Sequence, residues 1–285
     1  LPRYEPVIEE LELEDPGREV ERISDFLREK FEEAGRNTAI VGVSGGVDSS
    51  TTLALAVEAL GEENVLALIL PERDTPEEDV EDAVKACEKF GVEYHVHDVT
   101  DVLKAFGAGS YVPCHRFDPA ADGNLKPRVR MCVLYYHANA LDGLVLGTGN
   151  RTEWLTGYFT LHGDGACDIA PIRHLYKTQV YVLADHLGVP ERIVEEKEPS
   201  ARLWPGQTDV GELGLDYSTL DAVLYALVDE GLDDEEAVRW LSDRGVDVDG
   251  EVISRVRRLV EGTSFKRRLA PGLDVPEPED PALRR

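Results

Sequence analysis

The sequence predicts an α/β fold, a doubly wound parallel sheet with helices on both faces and a helical extension at the C-terminal end. Three observations carry this. Nearly continuous apolar runs, "TAIVGV" (38–43), "NVLALIL" (64–70) and the start of "LVLGTGN" (144–150), have the character of strands buried on both sides. The segments between them place apolar residues at helical spacing. Two of the runs end in glycine-rich turns that open into helices, the arrangement that puts ligand sites at the C-terminal edge of such sheets.

The elements follow in order. Asp15-Pro16 supplies a cap and an N1 proline for a helix over 17–35, with Val20, Ile23, Phe26, Leu27 and Phe31 as its apolar stripe. "SSTTLALAVEAL" is a helix closed by Gly61. Thr75-Pro76-Glu77-Glu78 reads as a capping box with proline at N1, opening a helix to about Phe90. "VEYHVHDV" is a third strand. Residues 107–123, rich in Gly and Pro, read as a mobile loop. "LKPRVRMCVLYYHANALDG" resumes as a helix despite its early proline. Helices near 151–157, 176–188, 217–230, 234–243 and 249–261 complete the chain. Residues 1–270 are read as one domain, and 271–285 as a disordered, acidic, Pro-rich tail.

Composition excludes several classes. The formal net charge of −27 opposes a broad nucleic-acid footprint, which needs clustered Lys and Arg. No apolar run approaches a membrane span, and the acidic N-terminal stretch has no signal-peptide core, so a cytoplasmic enzyme is the expectation. The four cysteines, Cys87, Cys114, Cys132 and Cys167, form no C-x-x-C pair and lack zinc-like spacing. Arg exceeds Lys, and Gln179 and Gln207 are the only glutamines. That balance suits heat adaptation, and the acid excess suits a salty cytoplasm.

The segment "SGGVDSS" (44–50) is the most informative. Gly45 and Gly46 allow close backbone approach, and the helix that follows presents free N–H groups and its positive dipole end. Ser44, Ser49 and Ser50 add hydroxyls. The plainer reading is a strand-to-helix turn capped by Ser and Asp. The full S-G-G-x-D-S pattern points instead to an anion cradle. No Walker lysine follows. Asp48 would repel phosphate unless a cation intervened, and Mg²⁺ held between carboxylate and phosphate oxygens is the natural one. Glu153 follows the second glycine turn and can meet Asp48 at the same sheet edge. Thr148 lies in that turn, and Lys177 opens a helix that can bring its charge to phosphates.

"SGGVDS" resembles the pyrophosphatase loop of enzymes that cleave ATP to AMP and pyrophosphate. Six later segments, "GNLKPRVRM", "LVLGTGNRTE", "GYFT", "GDGACDIAPI", "LYKTQV" and "LWPGQTD…ELGLDY", occur in the order found in the NAD synthetase family. The resemblance implies an adenine nucleotide alpha hydrolase-like fold. It implies that ATP is a co-substrate held by Gly42, Val43, Ser44, Gly45, Gly46, Val47, Asp48, Ser49, Thr148, Lys177 and Ser200. It assigns Mg²⁺ to Asp48 and Glu153, with Asp48, Lys177 and Glu153 as the catalytic set. Arg128, Asp168 and Lys266 are implied contacts of deamido-NAD. The implied reaction amidates deamido-NAD with ammonia through an acyl-adenylate. A homodimer is implied, with the substrate site at its interface and "RMCVLYYHANAL" as interface or core. Glutamine-dependent members carry a separate nitrilase-like domain, for which this chain has no room. The ammonia is therefore expected free or from a separate subunit. Two positions depart from the family pattern: Leu161-His162 stands where a lysine is usual, and Phe265 stands where a histidine precedes Lys266. Both fall on the acid-substrate side, with Arg173, His162 and His174 as candidates to compensate. They leave open a relative that adenylates another carboxylate, or a silent nucleotide-binding homologue.

Overall fold

Alternation along the strands decides which helices cover which face. A computed structural model of the chain describes residues 3–106, 118–204 and 206–273. The strands are β1 (Ala39–Gly42), β2 (Val65–Ile69), β3 (Glu93–Val96) and β4 (Leu144–Leu146), all parallel in the order β3-β2-β1-β4. Successive side chains point to opposite faces. Ala39, Val41, Val65, Ala67 and Ile69 therefore enter one core, while Ile40, Leu66 and Leu68 enter another.

The first core is closed by α1 (Pro16–Ala34), α2 (Val47–Leu60), α3 (Glu77–Lys89) and α7 (Lys177–His186). The second is closed by α4 (Thr100–Ala105) and α5 (Pro119–Ala140). A third core lies off the sheet, built from α9 (Tyr217–Leu224), α10 (Asp234–Asp243) and α11 (Gly250–Gly262), with α6 (Arg151–Thr156) and α8 (Asp209–Leu213) packed into it. The sheet with helices on both faces and the helical extension are thus as expected.

Local chemistry sets the element ends. Asp15 caps α1 by accepting from the Arg18 N–H, with Pro16 at N1, and Gly35 closes the helix in the left-handed region. The capping box expected at Thr75 is absent. Its hydroxyl accepts from the Glu72 N–H at 2.9 Å, and α3 starts at Glu77 with Pro76 before it. Part of the expected 107–123 loop is helix: Asp118 accepts from Ala120 and Ala121 N–H groups and Pro119 takes N1, so α5 begins well before residue 125. Residues 107–117 lie outside the described residues, as do 274–285 of the expected tail. The helix expected over 217–230 is α-helical to Leu224 and continues as a π-type turn over Tyr225–Asp229.

No helix among the described residues is long and apolar enough to cross a membrane. The free cysteines Cys87, Cys132 and Cys167 form no pairs with one another.

Candidate functional site

The C-terminal ends of β1 and β4 open onto one cavity of about 440 Å³. The β1–α2 loop forms its floor. Ser44 N–H donates to Ser49 Oγ at 3.2 Å, and Ser49 Oγ donates to the Gly46 carbonyl at 3.1 Å, so the loop is folded onto the start of α2. Gly45 has φ 76°. A Cβ there would lie 2.3 Å from the Asp79 carbonyl oxygen on α3. Only glycine lets the loop pack this tightly. Gly45→Ala is expected to cost about 2 kcal/mol or more in unfolding free energy, since strain and backbone overlap add. Gly46, at φ −92° and with its nearest contact at 3.4 Å, should lose less on the same change. Denaturant titration of the two variants measures the difference.

Three charged side chains meet above this loop. Asp48 sits in the first turn of α2, and its Oδ2 pairs with the Lys177 ammonium at the start of α7. Glu153 Oε1 lies 3.7 Å from the same nitrogen. Asn150, fully buried, joins the two halves. Its Nδ2 donates to Asp48 Oδ1 at 2.8 Å, while its Oδ1 caps α6 through the Glu153 N–H at 3.0 Å. Glu153 Oε2 returns to the Asn150 N–H, completing a capping box that fixes the glutamate.

The electrostatics of this trio are unbalanced. Burial pushes the Glu153 carboxyl well above the usual carboxylate range, and the Asp48 charge adds to it, with Lys177 opposing. Burial alone would lower the Lys177 amine, but the Asp48 and Glu153 carboxylates hold it above its ordinary value. Two carboxylates share one ammonium, so the site has room for another positive charge.

Behind the trio is a second brace. Thr152 Oγ1 accepts the Lys177 backbone N–H at 2.9 Å and donates to Asp221 Oδ1 at 2.5 Å. Asp221 Oδ2 accepts the Thr178 N–H at 2.8 Å. One buried carboxylate from α9 thereby ties the start of α7 to α6. A strap over 197–204 closes the cavity from the α3 side. Lys197 Nζ donates to the Gly45 carbonyl at 2.8 Å and pairs with Asp79 and Asp82. Ser200 Oγ donates to the Gln207 carbonyl at 2.6 Å.

Of the residues expected to bind ATP, Gly42, Val43, Ser44, Gly46, Val47, Asp48, Ser49, Thr148, Lys177 and Ser200 all line the cavity, and Gly45 packs on α3 beneath it. Lys266 also lines it, donating to the Gly157 and Phe159 carbonyls at 2.7 Å each. Arg128 and Asp168 lie off the wall. Arg128 is exposed and donates to the Leu161 carbonyl at 3.3 Å. Asp168 accepts from the Val145 N–H at 2.8 Å and the Tyr135 hydroxyl at 3.2 Å, beside β4. His174 pairs with Glu19 at 2.7 Å, away from the cavity. The sequence does not single out Asn150, Asp221 or Asp209, which lines the cavity and accepts from the Tyr158 and Tyr217 hydroxyls at 3.0 and 2.8 Å. For Asn150 the signal was present, since Asn150 and Glu153 have capping-box spacing.

A family model described as NAD synthase matches residues 19–270, which takes in every element of this site. The chain belongs to the NAD synthase family. Its similarity to an NH(3)-dependent NAD(+) synthetase of Methanopyrus kandleri is 77% identity over 283 residues, 99% of each chain. The counterpart from Methanocaldococcus jannaschii is 50% identical over 256 residues, 90% of this chain and 96% of the relative. Among solved structures, an NMN synthetase from Francisella tularensis superposes with TM-score 0.77 at 30% identity, covering 92% of this chain and 99% of that one. An NH3-dependent NAD synthetase from Campylobacter jejuni gives TM-score 0.75 at 29% identity, covering 91% and 100%. Members of this family belong to the PP-loop superfamily, and the cavity above the S-G-G-x-D-S loop is the candidate active site.

Proposed function

We propose that the chain is an ammonia-dependent NAD synthetase, a C–N ligase that amidates deamido-NAD at the expense of ATP. The observation that carries this is the convergence of Asp48, Lys177 and Glu153 over a glycine loop at the mouth of a single cavity. Near-full-length similarity to proteins of that name supports it.

The chemistry needs little from side chains as nucleophiles. The nicotinate carboxylate attacks the α-phosphorus of ATP, and the bond to the β-phosphate oxygen breaks. Pyrophosphate leaves with that electron pair. Ammonia then attacks the acyl carbon, AMP departs, and nitrogen loses a proton to solvent. The loop N–H groups and the start of α2 receive the pyrophosphate. Lys177, buried and held charged, stabilises negative charge as it moves onto that leaving group. Trp154 and Phe159, stacked on each other in the cavity wall, and the strap would keep water from the adenylate.

Mg²⁺ fits the donor set. Asp48 and Glu153 offer hard oxygens with one positive charge between them, and no cluster of three or more ligating side chains occurs among the described residues. That is the pattern of an ion completed by substrate phosphates and water. When bound, it would neutralise phosphate charge and draw electrons from the α-phosphorus.

The test is an assay with ATP, Mg²⁺ and ammonium, offering deamido-NAD or the acid counterpart of NMN. NAD formation with deamido-NAD as the better substrate is expected, and glutamine in place of ammonium should give none. The ammonia would arrive free or from a separate subunit. Pyrophosphate exchange with some other acid alone would overturn the reading.

A homodimer completes the proposal. On the side of the sheet covered by α4 and α5, Val102 of α4, and Tyr136 and Leu141 at the end of α5 are exposed, Tyr136 at 71%. Large apolar side chains exposed on one helical layer mark an association surface. In "RMCVLYYHANAL", Val133, Leu134 and Tyr135 pack partly on the core, while Cys132, Tyr136 and Leu141 face out, so the helix serves both. Light scattering should give twice the chain mass, and Tyr136→Glu should shift it toward monomer. A monomeric, fully active wild type refutes this.

A further inference from the structure

Six cationic side chains line the cavity: Arg130, Arg173, Lys177, Lys197, Arg202 and Lys266. Five have oxygen partners. Arg130 Nε donates to the Leu70 carbonyl, Lys177 serves Asp48 and Glu153, and Lys197 serves Asp79 and Asp82. Arg202 pairs with Asp79 at 3.1 Å, and Lys266 holds two carbonyls.

Arg173 differs. Among the described residues it has no carboxylate or carbonyl partner, and its one hydrogen bond is from Nη2 to Cys167 Sγ at 3.4 Å. Burial pushes the Cys167 thiol up, so the sulfur is a weak, neutral acceptor. The guanidinium instead lies 4.1 Å from the Trp154 ring centroid. Trp154 stacks on Phe159 at 5.3 Å with planes 9° apart, and Lys266 covers Phe159 at 5.2 Å. Stacking on a ring fixes the plane of the fork while leaving its in-plane N–H groups free. A half-buried guanidinium with unused donors in an otherwise paired wall is set for an anion that the chain does not supply.

We infer that Arg173 is an oxyanion subsite of the cavity and takes an anionic group of the acid substrate, a carboxylate or phosphate. The inference rests on the NAD synthetase reading. The triphosphate has its own partners in the loop, α2 and Lys177. Arg173 stands with Lys266 on the Trp154–Phe159 wall, where the second substrate must lie.

The experiment compares wild type, Arg173→Met and Arg173→Lys by calorimetry with deamido-NAD, NAD and ATP as separate probes. Arg173→Met should weaken deamido-NAD binding about 10- to 100-fold, the loss expected for charge-assisted hydrogen bonds, with Arg173→Lys between. ATP affinity and melting temperature should hold. If NAD weakens in parallel, the bound group is a phosphate. If only deamido-NAD weakens, it is the carboxylate, which NAD lacks. An Arg173→Met protein that binds deamido-NAD within twofold of wild type, or loses ATP equally, overturns the subsite alone. A wild type that binds ATP and not deamido-NAD overturns the functional reading and the subsite with it.

Discussion

Asp48→Asn should abolish ATP–pyrophosphate exchange, by roughly 10³-fold or more, while the protein folds normally. The two halves of that expectation have different causes. Asp48 is the carboxylate nearest the loop that receives phosphate, and it orients Lys177 while accepting from Asn150. Its charge supplies half of the oxygen pair that can hold a cation against the triphosphate. An amide has the same shape and cannot do this. Stability behaves otherwise. Asp48 and Glu153 repel across a buried site, and part of the upward push on Glu153 is the Asp48 charge. With asparagine at 48, one ammonium faces one carboxylate, and the buried charges balance. The melting temperature should therefore hold or rise. Isothermal titration adds a second readout: Mg²⁺ should strengthen ATP binding to wild type and do so far less in the variant. Exchange at near wild-type rate would remove Asp48 from the chemistry.

How much of this was legible in the sequence depended on the range of each interaction. The sheet was legible because parallel strands buried on both faces need unbroken apolar runs, and "AIVG" and "VLALI" have little else. The loop was legible because its chemistry is local: two glycines, an acid and hydroxyls within six residues. Asp48, Glu153 and Lys177 are expected to meet because each follows a strand or opens a helix at the same edge, and their side chains do converge there. Errors came where one local grammar competed with another. Thr75 and Glu78 have capping-box spacing, yet the Thr75 hydroxyl is claimed by the Glu72 N–H. Asp118-Pro119 repeats the cap-and-proline signal of Asp15-Pro16, but the glycine-rich stretch before it hid the start of α5. Asp221 was beyond reach. In sequence it is one polar residue in an apolar helix, and its partners Thr152 and Thr178 are 69 and 43 positions away.

Asp221 also yields the second large effect. Burial raises its carboxyl to about 7, against hydrogen bonds from Thr152 and Thr178 and the Lys177 charge, which lower it. The unfolded chain titrates near 3.8. Between those values the unfolded state holds fewer protons than the folded one, so stability falls as pH rises through that window. The full cost above pH 7 is about 4 kcal/mol, of which about 3 kcal/mol accrues between about pH 5 and pH 8. Asp221→Asn removes the titration. Relative to wild type, the variant should gain about 3 kcal/mol across that range, read from urea unfolding at each pH. Activity should move the opposite way. Asparagine keeps the Thr178 N–H on its oxygen by turning its Nδ2 to Thr152 Oγ1, which then accepts from both Nδ2 and the Lys177 N–H and must turn its own proton to another acceptor. That reversal, at a contact as close as 2.5 Å, shifts Thr152 and the start of α7 that it holds, and with it the ammonium between Asp48 and Glu153. A shift of a fraction of an ångström at such a centre should lower kcat about 10-fold or more with ATP affinity little changed. A variant more stable at high pH and slower in turnover would mean that Asp221 stays ionisable for geometry, against the preference of the fold. Equal pH slopes in the two proteins, or full turnover in the variant, would show that the brace is dispensable.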